Sequence, residues 1–137
     1  MADSLCVCTF TSILVWGGAS DKVVTDMLNP LCGWTMKPED YWTAAKRIMT
    51  AERVFNVREG ISSKDDDLPP RLRKEKLPEG PKKGAVFTDE DLKKMHDATY
   101  GFYGWDAKGI PTEASLKAYG LDAFINDVNT AKKKYNL

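Results

Sequence analysis

Hydrophobic positions recur at helical spacing through most of the chain, and no alternating β-type run competes with them. Phe10, Ile13, Leu14 and Trp16 lie near one helical face before Gly17-Gly18 breaks the run, which predicts a short buried helix from Cys8 to Trp16. Val23, Val24, Met27 and Leu28 mark the apolar face of a second helix. Ser20 is its expected N-cap, Asp21 suits the positive end of the helix dipole, and Asn29-Pro30 is its expected stop. Pro38, Glu39 and Asp40 then open the longest element. There Tyr41, Ala45, Ile48, Met49 and Phe55 fall mostly three and four apart, while Lys46, Arg47, Glu52 and Arg53 fall largely elsewhere. One face is predicted to pack and the other to be solvated.

From Asn56 to about Val86 the periodicity stops. Pro69, Pro70, Pro78, Gly80, Pro81 and Gly84 punctuate the stretch, and charges dominate it, as in Lys64-Asp65-Asp66-Asp67. Its composition is that of a solvated linker, although a connection this long inside a compact domain is uncommon unless it is functional or disordered. Thr88 with Asp91 three residues on forms a capping-box pattern, and Leu92, Met95 and Tyr100 carry a helix toward Gly101. Tyr100, Phe102, Tyr103 and Trp105 cluster around two glycines, an arrangement that can stack a ligand but more often closes a core, the reading expected here. His96 is expected at the surface or as a satisfied structural histidine, because no acid–base partner is placed by sequence. Asp106 to Pro111 reads as a turn, Thr112 caps a short helix through Leu116 that Gly120 ends, and Leu121, Phe124, Ile125, Val128 and Ala131 define a last helix. The predicted fold is all-α: five or six helices in one domain spanning residues 1–137. A long irregular charged strap over 56–86 separates the long central helix from the C-terminal helices.

Composition narrows the partners. A chain of 137 residues is long enough for one domain with a real core. Twenty basic and twenty acidic residues cancel and are interspersed, so neither nucleic acid nor an anionic membrane is an expected partner. The apolar run from Phe10 to Trp16 is far shorter than the ~20 residues of a membrane span and follows no basic leader, which suggests a cytoplasmic location. Three cysteines at irregular spacing fit a reducing compartment. With the single histidine they lack the C-x2-C spacing of a zinc site.

The residues with the most chemistry open the chain. In Asp3-Ser4-Leu5-Cys6-Val7-Cys8 an acid precedes a thiol by five residues. The carboxylate can accept hydrogen bonds from a polar ligand while the thiolate ligates a soft metal centre. The plain alternative is that small apolar cysteines start a buried helix.

Three blocks further along give this hexapeptide a context. The first runs from Arg47-Ile48 through Ala51-Glu52-Arg53-Val54-Phe55-Asn56-Val57-Arg58-Glu59-Gly60 and continues into Lys64 to Arg71. The second is Pro78-Glu79-Gly80-Pro81-Lys82-Lys83-Gly84. The third comprises Gly104-Trp105-Asp106, Gly109-Ile110-Pro111-Thr112, Leu116 and Gly120-Leu121. In this order and at these distances, they resemble the C-terminal part of the tungsten-dependent aldehyde:ferredoxin oxidoreductases. The resemblance implies that the charged strap is ordered over the domain, and that segment 1–16 faces the cofactors. It matches the opening hexapeptide to the family's D-x-x-G-L-C motif. Asp3 then falls on the aspartate that hydrogen-bonds the pterin of a tungstopterin, Cys8 on the last thiolate of a four-iron four-sulfur cluster, and Val7 on the apolar residue between them.

Two departures stand out: Cys6 replaces the motif glycine, and Tyr103 replaces the arginine before Gly-Trp-Asp. The resemblance also implies parts that are absent here. A C-x2-C-x3-C run for the other three cluster ligands is missing, as is the N-terminal domain that holds most of the pterin. Met1 directly before Ala2-Asp3 suggests a chain begun at a domain edge. The implied function is that of a C-terminal fragment of an enzyme that oxidises aldehydes to carboxylic acids with ferredoxin as acceptor. The fragment is expected to be inactive alone, to hold no catalytic residue and to bind neither cofactor stably. Its implied partners are the N-terminal domains of the parent enzyme, ferredoxin and the aldehyde. A piece of a benzoyl-coenzyme A reductase-type tungsten subunit is the enzymatic alternative, and a non-catalytic helical interaction domain the other.

Overall fold

The structure, a computed structural model, describes residues 6, 8 and 21–137. The predicted first helix and the Ser20 cap lie outside the described residues. Among those described there are six α-helices: α1 (Asp21–Cys32), α2 (Pro38–Arg58), α3 (Pro70–Lys74), α4 (Asp89–Tyr103), α5 (Glu113–Ala118) and α6 (Ile125–Tyr135). A 3-10 turn, Asp122–Phe124, precedes the last. No strand occurs among the described residues, only an isolated bridge between Trp105 and Pro111, so the fold is all-α. None of these helices is long and apolar enough to cross a membrane.

The chain divides into two compact units, Met1–Ala51 and Glu52–Leu137. In the first, α1 does not stop at Asn29-Pro30; it continues to Cys32 with Pro30 inside it. Asn29 closes the turn that follows. Its main-chain carbonyl accepts from the Trp34 N–H at 2.8 Å across the left-handed Gly33, a Schellman closure. Its side-chain amide donates to the Met36 carbonyl at 2.8 Å, and its side-chain oxygen accepts from the Tyr41 hydroxyl at 2.8 Å. A residue read as a helix breaker therefore acts as the clasp between two helices. Pro38 occupies the first turn of α2, and the Asp40 carboxylate accepts from the Lys37 N–H at 2.8 Å.

Helix α2 is where periodicity misled. Tyr41, Ala45, Val54 and Val57 are buried, but Ile48, Met49 and Phe55 are exposed, and Arg53, expected on the solvated face, is only 6% exposed. The side that packs carries Thr50 and Arg53, which an apolar count ignores. Helix boundaries were better coded: Thr88 and Asp91 form the full reciprocal capping box on α4, and Thr112 caps α5 by accepting from the Ser115 N–H at 3.1 Å. In the second unit, Tyr100, Ile110, Leu116, Leu121, Val128 and Ala131 join Val54 and Val57 in the core.

The strap is not a bare linker. It contains α3, which periodicity did not reveal because five residues are too few to show a face. A turn follows α3, closed by Gly84 N–H donating to the Leu77 carbonyl at 2.8 Å and Leu77 N–H donating to the Ala85 carbonyl at 2.9 Å. The Phe87 N–H then returns to the Leu72 carbonyl at 3.1 Å.

Candidate functional site

Of the residues singled out at the start of the chain, Asp3 and Val7 lie outside the described residues. Cys8 is exposed. Cys6, beside it, is exposed and holds a left-handed backbone with φ of 56°. That conformation costs a non-glycine residue about 1–2 kcal/mol. Cys6→Gly is therefore expected to raise stability by about 1 kcal/mol in urea unfolding. Among the described residues no group of three or more His, Cys, Asp or Glu side chains is arranged to hold a metal ion.

The one buried ionic centre of the described second unit lies elsewhere, and the sequence reading missed it. Arg53, from the last turns of α2, donates through Nη1 and Nη2 to the two carboxylate oxygens of Asp66 at 2.8 and 2.6 Å. Its Nε donates to the Gly109 carbonyl at 2.7 Å. The Tyr100 hydroxyl donates to the same Asp66 carboxylate at 2.6 Å, and His96 Nε2 lies 2.7 Å from the Asp66 main-chain carbonyl, a geometry that places the proton on Nε2. The guanidinium carbon sits 5.4 Å from the centre of the Trp105 ring, and His96 stacks on Tyr100 at 5.1 Å. A fork-to-fork pair of this kind fixes orientation as well as charge.

Its electrostatics are those of a closed lock. Burial alone would raise the Asp66 pKa, but hydrogen bonds from Arg53 and Tyr100 and the guanidinium charge outweigh it and hold the carboxyl below its ordinary range. Burial, and then the Asp66 carboxylate, push the Tyr100 hydroxyl well above its ordinary value. No buried side-chain polar atom among the described residues lacks a partner, and the polar groups of this centre are turned toward one another. It pins the strap.

Neighbouring charges do the same work. The Asp65 carboxylate accepts from the Ser62 N–H at 2.9 Å, and Asp67 accepts from the Leu68 N–H at 2.7 Å and from Arg73 at 2.6 Å. Arg73 also bonds Asp89 at the start of α4. The run Lys64-Asp65-Asp66-Asp67 thus spends each of its three carboxylates on a different partner. Read by charge density alone it looks solvated; the signal that could have found it is the unpaired Arg53 inside a buried helical stretch.

Residues 1–121 match the family described as aldehyde ferredoxin oxidoreductase, domains 2 and 3. The chain belongs to this family. It is 41% identical over 91% of its length to a tungsten-containing aldehyde ferredoxin oxidoreductase of Pyrococcus abyssi, and 41% identical over 91% to one of Thermococcus kodakarensis. It is 33% identical over 98% to an aliphatic sulfonate oxidoreductase, WOR-like subunit, of Pyrococcus furiosus. The chain spans about a fifth of the length of these relatives, 20% of the first. Within the aldehyde ferredoxin oxidoreductase family blocks, Arg53 of the first and Gly109 of the third meet through the 2.7 Å bond, and Asp66 of the first closes the lock. Two of the three blocks that carry the resemblance thus meet in the lock that fastens the strap.

Proposed function

We propose that this chain is the C-terminal helical part of a tungstopterin iron–sulfur oxidoreductase that oxidises aldehydes to carboxylic acids with ferredoxin as electron acceptor. The observation that carries this reading is the family match over residues 1–121, with identity of 41% to relatives named for that activity and 33% to the sulfonate oxidoreductase. Its partners are the remaining domains of the parent enzyme, ferredoxin and the aldehyde.

The donor set at the start of the chain fits such cofactors. Cys8 is an exposed thiol, and a thiolate is the natural ligand of an iron–sulfur cluster. Cys6, matched to the motif glycine, holds a left-handed backbone that glycine adopts freely, and the Cys8 ligand position remains filled. Cys8 supplies one of about four thiolates, and the others come from the rest of the enzyme. Asp3 would accept hydrogen bonds from the pterin, and Val7 is the apolar residue of the same motif. The tungsten centre supplies the two-electron oxidation, and the cluster carries electrons outward. The part of this stretch would be to orient the pterin and complete the ligand set.

A hybrid in which residues 1–121 replace the matching stretch of the Pyrococcus abyssi relative tests the proposal. It is expected to couple aldehyde oxidation to reduction of ferredoxin within about tenfold of the unaltered relative. A folded hybrid that binds tungsten but oxidises no aldehyde would count against it.

A further inference from the structure

The Glu52–Leu137 unit also carries an apolar groove. Helix α3, the strap turn after it and one face of α4 surround a groove of about 790 Å3, within the range that accommodates a small-molecule ligand. Leu72, Leu77, Val86, Phe87 and Met95 line it. Leu72, Leu77 and Met95 are each about half exposed, which is costly for side chains of this size unless something covers them. The groove is held in shape from both sides: the Leu77–Ala85, Leu77–Gly84 and Leu72–Phe87 main-chain bonds fix the strap wall, and the capping box fixes the start of α4.

The charges at its rim are unequal. Both carboxylates are already engaged: Glu75 accepts from Arg71 at 2.9 Å, and Asp91 accepts from the Thr88 N–H and hydroxyl at 3.0 and 2.6 Å. Lys94 pairs with Glu90 at 2.8 Å. Lys76 and Lys82 line the same groove and have no carboxylate partner among the described residues. An apolar trough lined by four cations and two carboxylates, with Lys76 and Lys82 outside any ion pair among the described residues, matches an apolar tail ending in an anion.

We propose that this groove is a binding site for an amphiphilic monocarboxylate, its hydrocarbon tail against Leu72, Leu77, Phe87 and Met95 and its carboxylate between Lys76 and Lys82. The proposal uses none of the residues assigned to the cofactors and is tested on the 137-residue chain, so its failure leaves the proposed function untouched. Titration of the labelled chain with octanoate, followed by amide NMR, is expected to give saturable one-to-one shifts confined to these residues. The expected dissociation constant is on the order of 1 mM. Octanol is expected to bind about tenfold more weakly and octylammonium not to saturate. In K76E/K82E, two exposed substitutions that leave the remaining spectrum in place, octanoate is expected to weaken about tenfold and octylammonium to gain saturable binding at the same residues. Equal affinity for octanoate and octylammonium in the unaltered chain, or no reversal in K76E/K82E, overturns the assignment. Absence of any saturation by octanoate also overturns it and leaves the groove to a protein segment.

Discussion

Gly109→Ala is expected to destabilise the chain by about 3 kcal/mol or more, seen as a lowered urea midpoint with an unchanged slope. Two effects combine. Gly109 holds a φ of 71°, which costs an alanine about 1–2 kcal/mol. A Cβ there would also stand 2.5 Å from Arg53 Nη2 and 2.8 Å from the Tyr100 ring. Neither neighbour can retreat, because Arg53 donates to Asp66 and to the Gly109 carbonyl while Tyr100 donates to Asp66. Gly101→Ala is the contrast: it lies within α4 with open space around it, and alanine there is expected to stabilise by up to about 1 kcal/mol. Equal effects at the two positions would mean that glycine's general freedom, and not the lock, sets the outcome.

Arg53→Ala is expected to cost about 3–5 kcal/mol, because it leaves the Asp66 carboxylate part-buried without its cation and the Gly109 carbonyl without its donor. The pH dependence gives the mechanism a sign. The Asp66 carboxyl is depressed in the folded chain, so its contribution is present above the ordinary carboxylate pKa of about 3.9 and is lost as pH falls below it. Tyr100 is raised, so its contribution is present below about pH 10 and is lost as pH rises beyond that. Stability of the unaltered chain should therefore fall at both ends, and in Arg53→Ala the fall on the acid side should be shallower. Asp66→Asn, which keeps the shape but removes the charge, is expected to flatten the acid side as well. An acid limb as steep in Arg53→Ala as in the unaltered chain would contradict the lock.

These two residues also show what a sequence can and cannot reveal. The capping signals at Thr88 and Thr112, the proline opening α2 and the periodicity of α6 are local, and their structural consequences follow within one helical turn. The face of α2 is not local. Phe55, Ile48 and Met49 satisfy a hydrophobic count yet stay exposed, while Arg53 is buried because partners 13 and 56 residues away complete its hydrogen bonds. Pro30 illustrates the same limit: a breaker by rule, it sits inside α1 because Asn29 and Gly33 close the helix two residues later. Order in the charged strap was legible only through resemblance to a family, since its composition is that of a solvated loop and its partners are distant. At the start of the chain, the acid–thiol pair gained its meaning from the three downstream blocks; Asp3 and Val7 lie outside the described residues, and Cys8 is exposed.

The most direct test of the account concerns Cys8. In the hybrid carrying residues 1–121, iron content and the electron paramagnetic resonance of the reduced protein should report a four-iron cluster, and Cys8→Ala should convert it to a three-iron species or lose it, with Cys6→Gly leaving it unchanged. A Cys8→Ala hybrid that keeps the full iron content and the same resonance would contradict the role assigned to this thiol.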